Sequence, residues 1–157
     1  MAGFDTSKIK AALNRISDEF EGKVVKAGFG VLGDPSYEDG MAVAAVAAIH
    51  EYGAPAANIP PRPFMRPAEE ANKDKWRKTL ADGVKAVARG QATGDAVLNG
   101  IGMQMAPDIQ AAINAVNSPP LKPATLQSRK RRGRGTKVLQ DSGLLIASPQ
   151  YIVTSQT

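Results

Sequence analysis

Apolar and polar positions alternate along the first third of the chain with two different periods. The helical period is carried by Ile9, Leu13, Ile16 and Phe20. This spacing predicts an amphipathic helix over 6–20. After that helix, apolar residues recur at every second position, which predicts a strand over 23–32. Turn-forming residues and three acids then fill 33–40, a composition typical of an exposed loop.

The following segment is first apolar and then rich in proline. A continuous apolar run at 41–49 fits either a second strand or a short buried helix, and its alanine content favours a helix over 44–52. Four prolines and one glycine fall within 53–63. Because proline has no N–H to donate and breaks helices, we predict a loop here that ends in a proline-stiffened strand at 61–65.

Two long apolar stripes predict two long helices in the second half of the chain. The first stripe begins after Pro67, whose fixed φ suits the first turn of a helix, and predicts a helix over 67–89. Thr93 is a suitable N-cap for a second helix over 94–116. Pro107 lies within the second stripe, and since proline inside a helix usually bends it, we expect a kink there.

Short elements joined by loops are predicted for the last part of the chain. A short helix is predicted over 123–130, and the tract 131–136 alternates arginine with glycine, a pattern typical of a mobile segment. A turn at 141–143 and a terminal strand at 151–153 follow. No repeat or linker divides the sequence, so we predict a single domain over 1–157.

Positive charge is concentrated in one part of the sequence. The formal net charge is +5, seven of the 20 Lys and Arg residues fall within 122–137 without any acid, and the rest of the chain sums to −2. This tract could be a solvated loop, a contact for phosphates, or an arm that becomes ordered against an acidic neighbour. No helix-turn-helix, zinc finger or aromatic RNA-binding surface accompanies it, so sequence-specific reading of DNA is not expected. The seven cations are Lys122, Arg129, Lys130, Arg131, Arg132, Arg134 and Lys137.

Side chains that usually carry catalysis are scarce. The chain has no cysteine and a single histidine, His50, which excludes disulfides, thiolate metal sites and histidine clusters. Glu51 and Tyr52 follow His50, but no second convergent group appears in the sequence, and we interpret 50–53 as structural. The glycine pairs match neither a dinucleotide fingerprint nor a phosphate-binding loop. We therefore predict a protein that is not an enzyme and needs no cofactor.

Signals for secretion or membrane insertion are not apparent in the sequence. The first residues lack the basic, apolar and small-residue order of a signal peptide. No apolar run approaches the ~20 residues that a membrane span requires. The sequence predicts a soluble protein made inside the cell.

Two motif blocks occur in order along the chain. The first joins Ala-Ala-Ile-His-Glu-Tyr-Gly at 47–53 to Ile-Pro-Pro-Arg-Pro-Phe-Met-Arg-Pro at 59–67. The second joins Pro-Leu-Lys-Pro-Ala-Thr-Leu at 120–126 to the basic pair at 129–130 and then to Leu-Gln-Asp-Ser-Gly-Leu-Leu at 139–145. Together they resemble the virion morphogenesis, neck and tail-completion proteins of long-tailed bacteriophages.

This resemblance, which spans about 23–153, implies both a fold and a function. The implied fold is α+β, with long helices packed on a small, mainly antiparallel sheet. The implied function is that of a virion structural protein at the head-tail junction, assembled in the host cytoplasm as a homo-oligomeric ring that is hexameric by phage-tail symmetry. The implied partners are further copies of the chain, head-closure or connector proteins, tail-tube or terminator proteins, and DNA in the channel through non-specific contacts.

Two segments have the properties that contacts in such a ring require. A proline-stiff segment keeps its bound shape at low entropy cost, and a mobile arm can become ordered on a neighbour. The simpler alternative is that the proline-rich segment and the basic arm are both ordinary loops of a monomer. Neighbour contacts are expected from Pro61, Arg62, Pro63, Phe64 and Arg66. A basic mobile arm at about 129–137, facing the DNA path or the next subunit, is expected to act through Arg129, Lys130, Arg131, Arg132, Arg134 and Lys137.

Three other functions remain open on the sequence. A tail terminator that caps growth of the tail tube belongs to the same structural class. A free cytoplasmic module that binds the phosphate backbone of nucleic acids would use the same basic tract. A small enzyme is the remote third alternative, and it depends on His50 and Glu51 alone.

Overall fold

The computed structural model describes residues 6–155 of the chain. Residues 1–5 and 156–157, which the sequence analysis includes in the single domain, lie outside this range. The described part forms six α-helices and two β-strands, with one turn of 3-10 helix at Pro55–Ala57. In chain order the elements are α1 Thr6–Phe20, β1 Lys23–Gly28, α2 Val43–Tyr52, α3 Met65–Ala88, α4 Gly94–Ala115, α5 Pro123–Arg131, α6 Leu144–Ala147 and β2 Gln150–Ser155.

The two strands come from opposite ends of the chain and form an antiparallel pair. Their register runs from Lys23 opposite Ser155 to Gly28 opposite Gln150. The predicted strand over 23–32 is therefore too long, because the partner strand stops opposite Gly28 and Gly30 adopts a left-handed φ of 71°. The α+β, single-domain fold with an antiparallel sheet is confirmed.

Helix α4 lies at the centre of the molecule and packs against α1, α3 and both strands. Its residues Ile109 and Ile113 are 2% and 0% exposed and belong to the main core cluster. Val97 and Ile101, earlier in the same helix, belong to a second cluster that also receives the end of α1. The core is made largely of small and branched side chains, as follows from the low aromatic content of 5%. The fully buried large side chains are Val43, Phe64, Val87 and Ile113.

Most predicted helices are confirmed, with small shifts at their ends. The apolar run at 41–49 is largely helical, since α2 begins at Val43. Thr93 caps α4 through its hydroxyl oxygen, which accepts the N–H of Ala96 at 3.2 Å. The α4 helix continues across Pro107 without a break, and a bend at that residue stays a prediction.

The predicted strand at 61–65 is wrong. Pro61 and Pro63 have no N–H to donate, and the N–H of Arg62 is donated to the carbonyl of His50 at 2.6 Å, so the segment joins no sheet. Helix α3 then begins at Met65, two residues earlier than predicted. No helix in the described range combines the length and the apolar character that crossing a membrane requires.

Candidate functional site

The first motif block forms a tertiary cap on the N-terminus of α3. The carboxylate of Glu51, at the end of α2, accepts the backbone N–H groups of Phe64 at 2.8 Å, Met65 at 2.9 Å and Arg66 at 3.2 Å. A helix N-terminus leaves its first N–H groups without partners and carries a partial positive charge, so a carboxylate is well suited to this position. The residue before the helix, Phe64, provides no side-chain cap.

Arg66 completes this cap from the first turn of α3. Its Nε lies 2.9 Å from the Glu51 carboxylate, one Nη donates to the Glu51 carbonyl at 3.2 Å, and its guanidinium carbon lies 5.6 Å from the centre of the Tyr52 ring. Burial raises the pKa of Glu51, but hydrogen bonds from Arg66 and the three backbone N–H groups outweigh it, so that pKa lies below its usual value. Glu51 is therefore a buried anion whose oxygens are occupied by structural donors.

Two of the predicted neighbour contacts lie inside the subunit. Phe64 is fully buried and its ring packs edge-on against Phe29 at 5.8 Å between centroids. Arg62 is 7% exposed and donates to the carbonyls of Pro119 at 2.9 Å and Pro120 at 3.3 Å. The prediction that these two side chains contact a neighbour is therefore corrected, because both are used within the chain.

The other residues of that predicted contact remain at the surface. Pro61 is exposed, Pro63 is half-buried, and the Arg66 side chain is 65% exposed. Contact of these three with another subunit stays a prediction. The segment joins the two motif blocks, because Arg62 ties it to the carbonyls directly before Leu121.

His50 lies half-buried beside the same segment. Its pKa is lowered to about 4 by burial and by the positive charges of Arg62 and Arg129, so the ring is neutral at pH 7. Its Nδ1 is buried without a hydrogen-bond partner among residues 6–155. Since Glu51 is occupied at the helix cap, the two residues form no acid-base pair, which agrees with the structural interpretation of this motif.

A small polar cavity of about 190 Å³ opens next to His50. Burial, followed by the charge of Asp141, raises the pKa of the Tyr37 hydroxyl on its wall. Arg129 Nε lies 3.3 Å from Asp141 Oδ1, within ion-pair distance but outside hydrogen-bond geometry. The cavity is lined by Tyr37, Asp39, Val46, His50, Arg129, Leu139, Asp141, Ser142, Gly143 and Leu145.

The six cations of the basic arm at 129–137 divide into two groups, of which the first is held by contacts within the subunit. Arg129 donates to the carbonyls of Gly135 at 3.2 Å and Lys137 at 2.8 Å. Arg134 bridges Glu38 at 2.9 Å and Asp141 at 3.3 Å. Lys137 Nζ donates to the side-chain oxygen of Asn114 at 3.0 Å. These contacts hold the loop after α5 against the body of the subunit, and the mobility of the tract stays a prediction.

The second group consists of Lys130, Arg131 and Arg132 at the end of α5. All three are exposed, and within residues 6–155 none has a carboxylate at ion-pair distance. Arg132 donates weakly to the Ser128 carbonyl at 3.4 Å. The structure thus separates cations that brace the fold from cations that are free to meet a partner.

The acid-rich loop at 33–40 is the part of this region that sequence reasoning missed. Asp34 accepts the N–H of Ala44 at 3.0 Å near the start of α2, and Asp39 accepts the N–H of Met41 at 3.0 Å. Glu38 meets Arg134, which is 96 positions away in sequence. The opposite charges of the two segments were the signal that could have paired them.

Apolar side chains remain uncovered on the outside of the subunit. Ile9 and Leu13 are 45% and 60% exposed, whereas Ile16 and Phe20 on the same stripe of α1 pack against the second core cluster. A groove of about 570 Å³ also opens between β1 and α3 above α4, lined by residues that include Trp76 and Met105. Uncovered apolar surface of this kind is a common property of proteins that associate.

Metal-binding groups and similar proteins were sought next. No group of three or more His, Cys, Asp or Glu residues in the described range could hold a metal ion. Comparisons with family models, curated proteins and solved structures found no match for this chain. The likeness to phage proteins therefore depends on the two motif blocks.

Proposed function

We propose that this chain is a structural virion protein that forms a homo-oligomeric ring at the head-tail junction of a long-tailed phage. The ring joins the head connector to the tail tube. Its partners are further copies of itself, head-closure or connector proteins, and tail-tube or terminator proteins. The chain acts by fitting these components together and carries out no reaction.

The observation that supports this proposal most directly is how the two motif blocks meet. Glu51 and Arg66 of the first block fix the start of α3, and Arg62 holds the Pro119 and Pro120 carbonyls at the start of the second block. At the far end of the second block, Arg129 and Asp141 form an ion pair. The residues that carry the resemblance thus brace one subunit internally, which supports a structural role.

The outer surface is compatible with self-association. Ile9 and Leu13 form an apolar patch on α1 that residues 6–155 leave partly uncovered. Complete burial of such a side chain contributes about 1.5–3 kcal/mol, and since Ile9 and Leu13 are already about half covered, burying the remainder contributes roughly half of that for each. Closed rings with head-to-tail contacts are a common way to cover such a patch in every copy.

Two experiments test the proposal. Sedimentation and negative-stain electron microscopy of the purified protein should reveal a closed ring or, with the head-side partner added, its assembly. Electron microscopy of particles made without this gene should reveal separated heads and tails. A protein that stays monomeric with its partners, together with normal joined particles in the gene disruption, would refute the proposal.

Tail termination is the alternative within the same class. A terminator stops growth of the tail tube, so its loss should give tails of excessive length instead of separated heads and tails. The particle images therefore distinguish the two functions. A free nucleic-acid-binding module is the alternative from another class, and it predicts a monomer that binds DNA and is absent from purified virions.

A further inference from the structure

We propose that Lys130, Arg131 and Arg132 form a phosphate-binding patch that grips the backbone of duplex DNA without reading its sequence. The location of the contact, in the channel of the ring, rests on the proposed function. The site itself is argued from the charges and contacts of the subunit.

The proposal starts from the observation that these three consecutive cations lack the acidic partners that the cations of α3 have. On α3, Lys73 lies 2.7 Å from Glu70, and Lys78 lies 3.1 Å from Asp82. The exposed cations of α5 have no such carboxylate in the described range, and no acid occurs in the sequence from 122 to 140. The patch is therefore a local excess of positive charge at the surface.

Neighbouring contacts keep this patch in place and open to solvent. Arg129 points back and donates to the carbonyls of Gly135 and Lys137, and Arg134 is held by Glu38 and Asp141. Glu38 and Asp141 are thus engaged by the bracing arginines, and Asp39 accepts the N–H of Met41. Arg132 lines a pocket together with these three acids.

Helix stabilisation alone does not account for the cluster. Cations in the last turn of a helix interact favourably with its dipole, by about 0.3–1 kcal/mol each when exposed. Arg129, Lys130 and Arg131 lie in that last turn and serve that purpose, whereas Arg132 follows the helix. Four consecutive cations repel one another, and an anionic partner offsets that repulsion.

Duplex DNA is the polyanion that fits this patch. It carries one negative charge per about 1.7 Å of its axis, so adjacent cations can neutralise adjacent phosphates. The patch consists of cations without an aromatic side chain, and contacts to phosphates alone carry no sequence information. We therefore expect binding without sequence preference.

The strength of binding should depend steeply on salt. Each neutralised phosphate contributes about 0.9 to the slope of log K against log salt, so three contacts give a slope of about 2.7. Between about 50 and about 200 mM salt, this slope corresponds to a loss of roughly 40-fold in affinity.

The test compares two triple variants that lose the same charge. The patch variant is Lys130→Gln, Arg131→Gln and Arg132→Gln, and the control is Lys73→Gln, Arg77→Gln and Lys78→Gln on the exposed side of α3. Binding of the full chain to a fluorescent duplex of mixed sequence is measured by anisotropy across a salt series. Sedimentation of the same samples records their oligomeric state.

The patch variant should lower the salt slope by about 2 to 3 and weaken binding, while the control keeps a slope close to the native one. Equal losses in both variants would overturn the site, because they would reflect net charge alone. Absence of binding by the native protein, or full binding by the patch variant, would overturn it too. If the patch variant kept full DNA binding but failed to assemble, the cations would be a protein contact.

The two proposals can fail independently. Rings that form normally but do not bind DNA would refute the phosphate patch and leave the proposed function intact. A monomer that binds DNA through the three cations and is absent from virions would support the patch and refute the ring function.

Discussion

Replacing Glu51 by glutamine exchanges one carboxylate oxygen at the N-terminus of α3 for an NH2 group. We expect this substitution to destabilise the fold strongly. The carboxylate is 4% exposed and accepts three backbone N–H groups and the Nε of Arg66. Glutamine keeps one oxygen but turns an NH2 group toward donors that then have no acceptor. Its neutral amide also loses the favourable interaction with the helix dipole.

The magnitude follows from the bonds that are lost. Hydrogen bonds to charged groups contribute about 1.5–3 kcal/mol each, and a buried donor left without a partner costs about 1–3 kcal/mol. Because the amide oxygen still satisfies part of the cap, we expect a loss of about 2–3 kcal/mol in the free energy of unfolding. For a chain of this size, such a loss lowers Tm by about 4 to 12 °C.

Urea denaturation at pH 7 measures this loss directly, with Glu69→Gln as the control. Glu69 is an exposed carboxylate on the same helix, and surface substitutions usually change stability by less than about 0.5 kcal/mol. The midpoint should fall for Glu51→Gln with the slope unchanged. A loss for Glu51→Gln no larger than that of the control would refute the assigned cap.

The pH dependence gives a second test of the same cap. The folded-state pKa of Glu51 is depressed, so its stabilising contribution is present above the unfolded pKa of about 4.3 and is lost as pH falls through the lower folded value. The difference in stability between the native protein and Glu51→Gln should therefore be largest near neutral pH and shrink below about pH 4. A difference that grows in acid would contradict this assignment.

Three further experiments test the packing of the core and the environment of the single histidine. Gly102→Ala places a Cβ against the Tyr151 ring and should lower the free energy of unfolding by about 1–3 kcal/mol. Gly100→Ala meets open space in the same helix and should raise it by about 0.5–1 kcal/mol. Equal shifts in Tm for the two variants would refute the contact with Tyr151. Phe64→Ala should cost about 3–5 kcal/mol by urea denaturation, since the ring is fully buried, and a loss below about 1 kcal/mol would contradict that burial. The ring signals of His50 should titrate by NMR with a pKa of about 4. Because the unfolded chain takes up that proton first, stability should fall as pH drops from about 6.5 toward 4, and a pKa near 6.5 would show that the ring is exposed.

Local sequence patterns were sufficient to predict most of the helices. The stripe of α1 predicted its bounds of Thr6–Phe20, and the stripe that begins at Leu98 predicted α4 to within one residue. These patterns succeed because a helix buries one face at a fixed period, whatever it packs against. The hydroxyl cap at Thr93 is equally local, since donor and acceptor are three residues apart.

Contacts between distant segments had no such local signal, and only the opposite charges of 33–40 and the basic tract indicated one of them. The point at which β1 ends depends on where β2 begins, because residues without a partner strand form no ladder. Helix α3 starts at Met65, and its cap comes from Glu51, which lies 14 positions earlier in sequence and in another helix. A residue's role at a helix end depends on which element the chain brings to that end.

For the motif residues too, some properties follow from the sequence and others only from the tertiary structure. The sequence by itself determined that no cysteine or histidine cluster exists and that positive charge gathers near the C-terminus. Only the tertiary structure decided that Phe64 and Arg62 are used inside the subunit, and that Arg134 pairs with Glu38 while Lys130 has no carboxylate at ion-pair distance among residues 6–155. Composition fixes which groups a chain has, but burial and pairing depend on distances that folding sets between residues far apart in sequence.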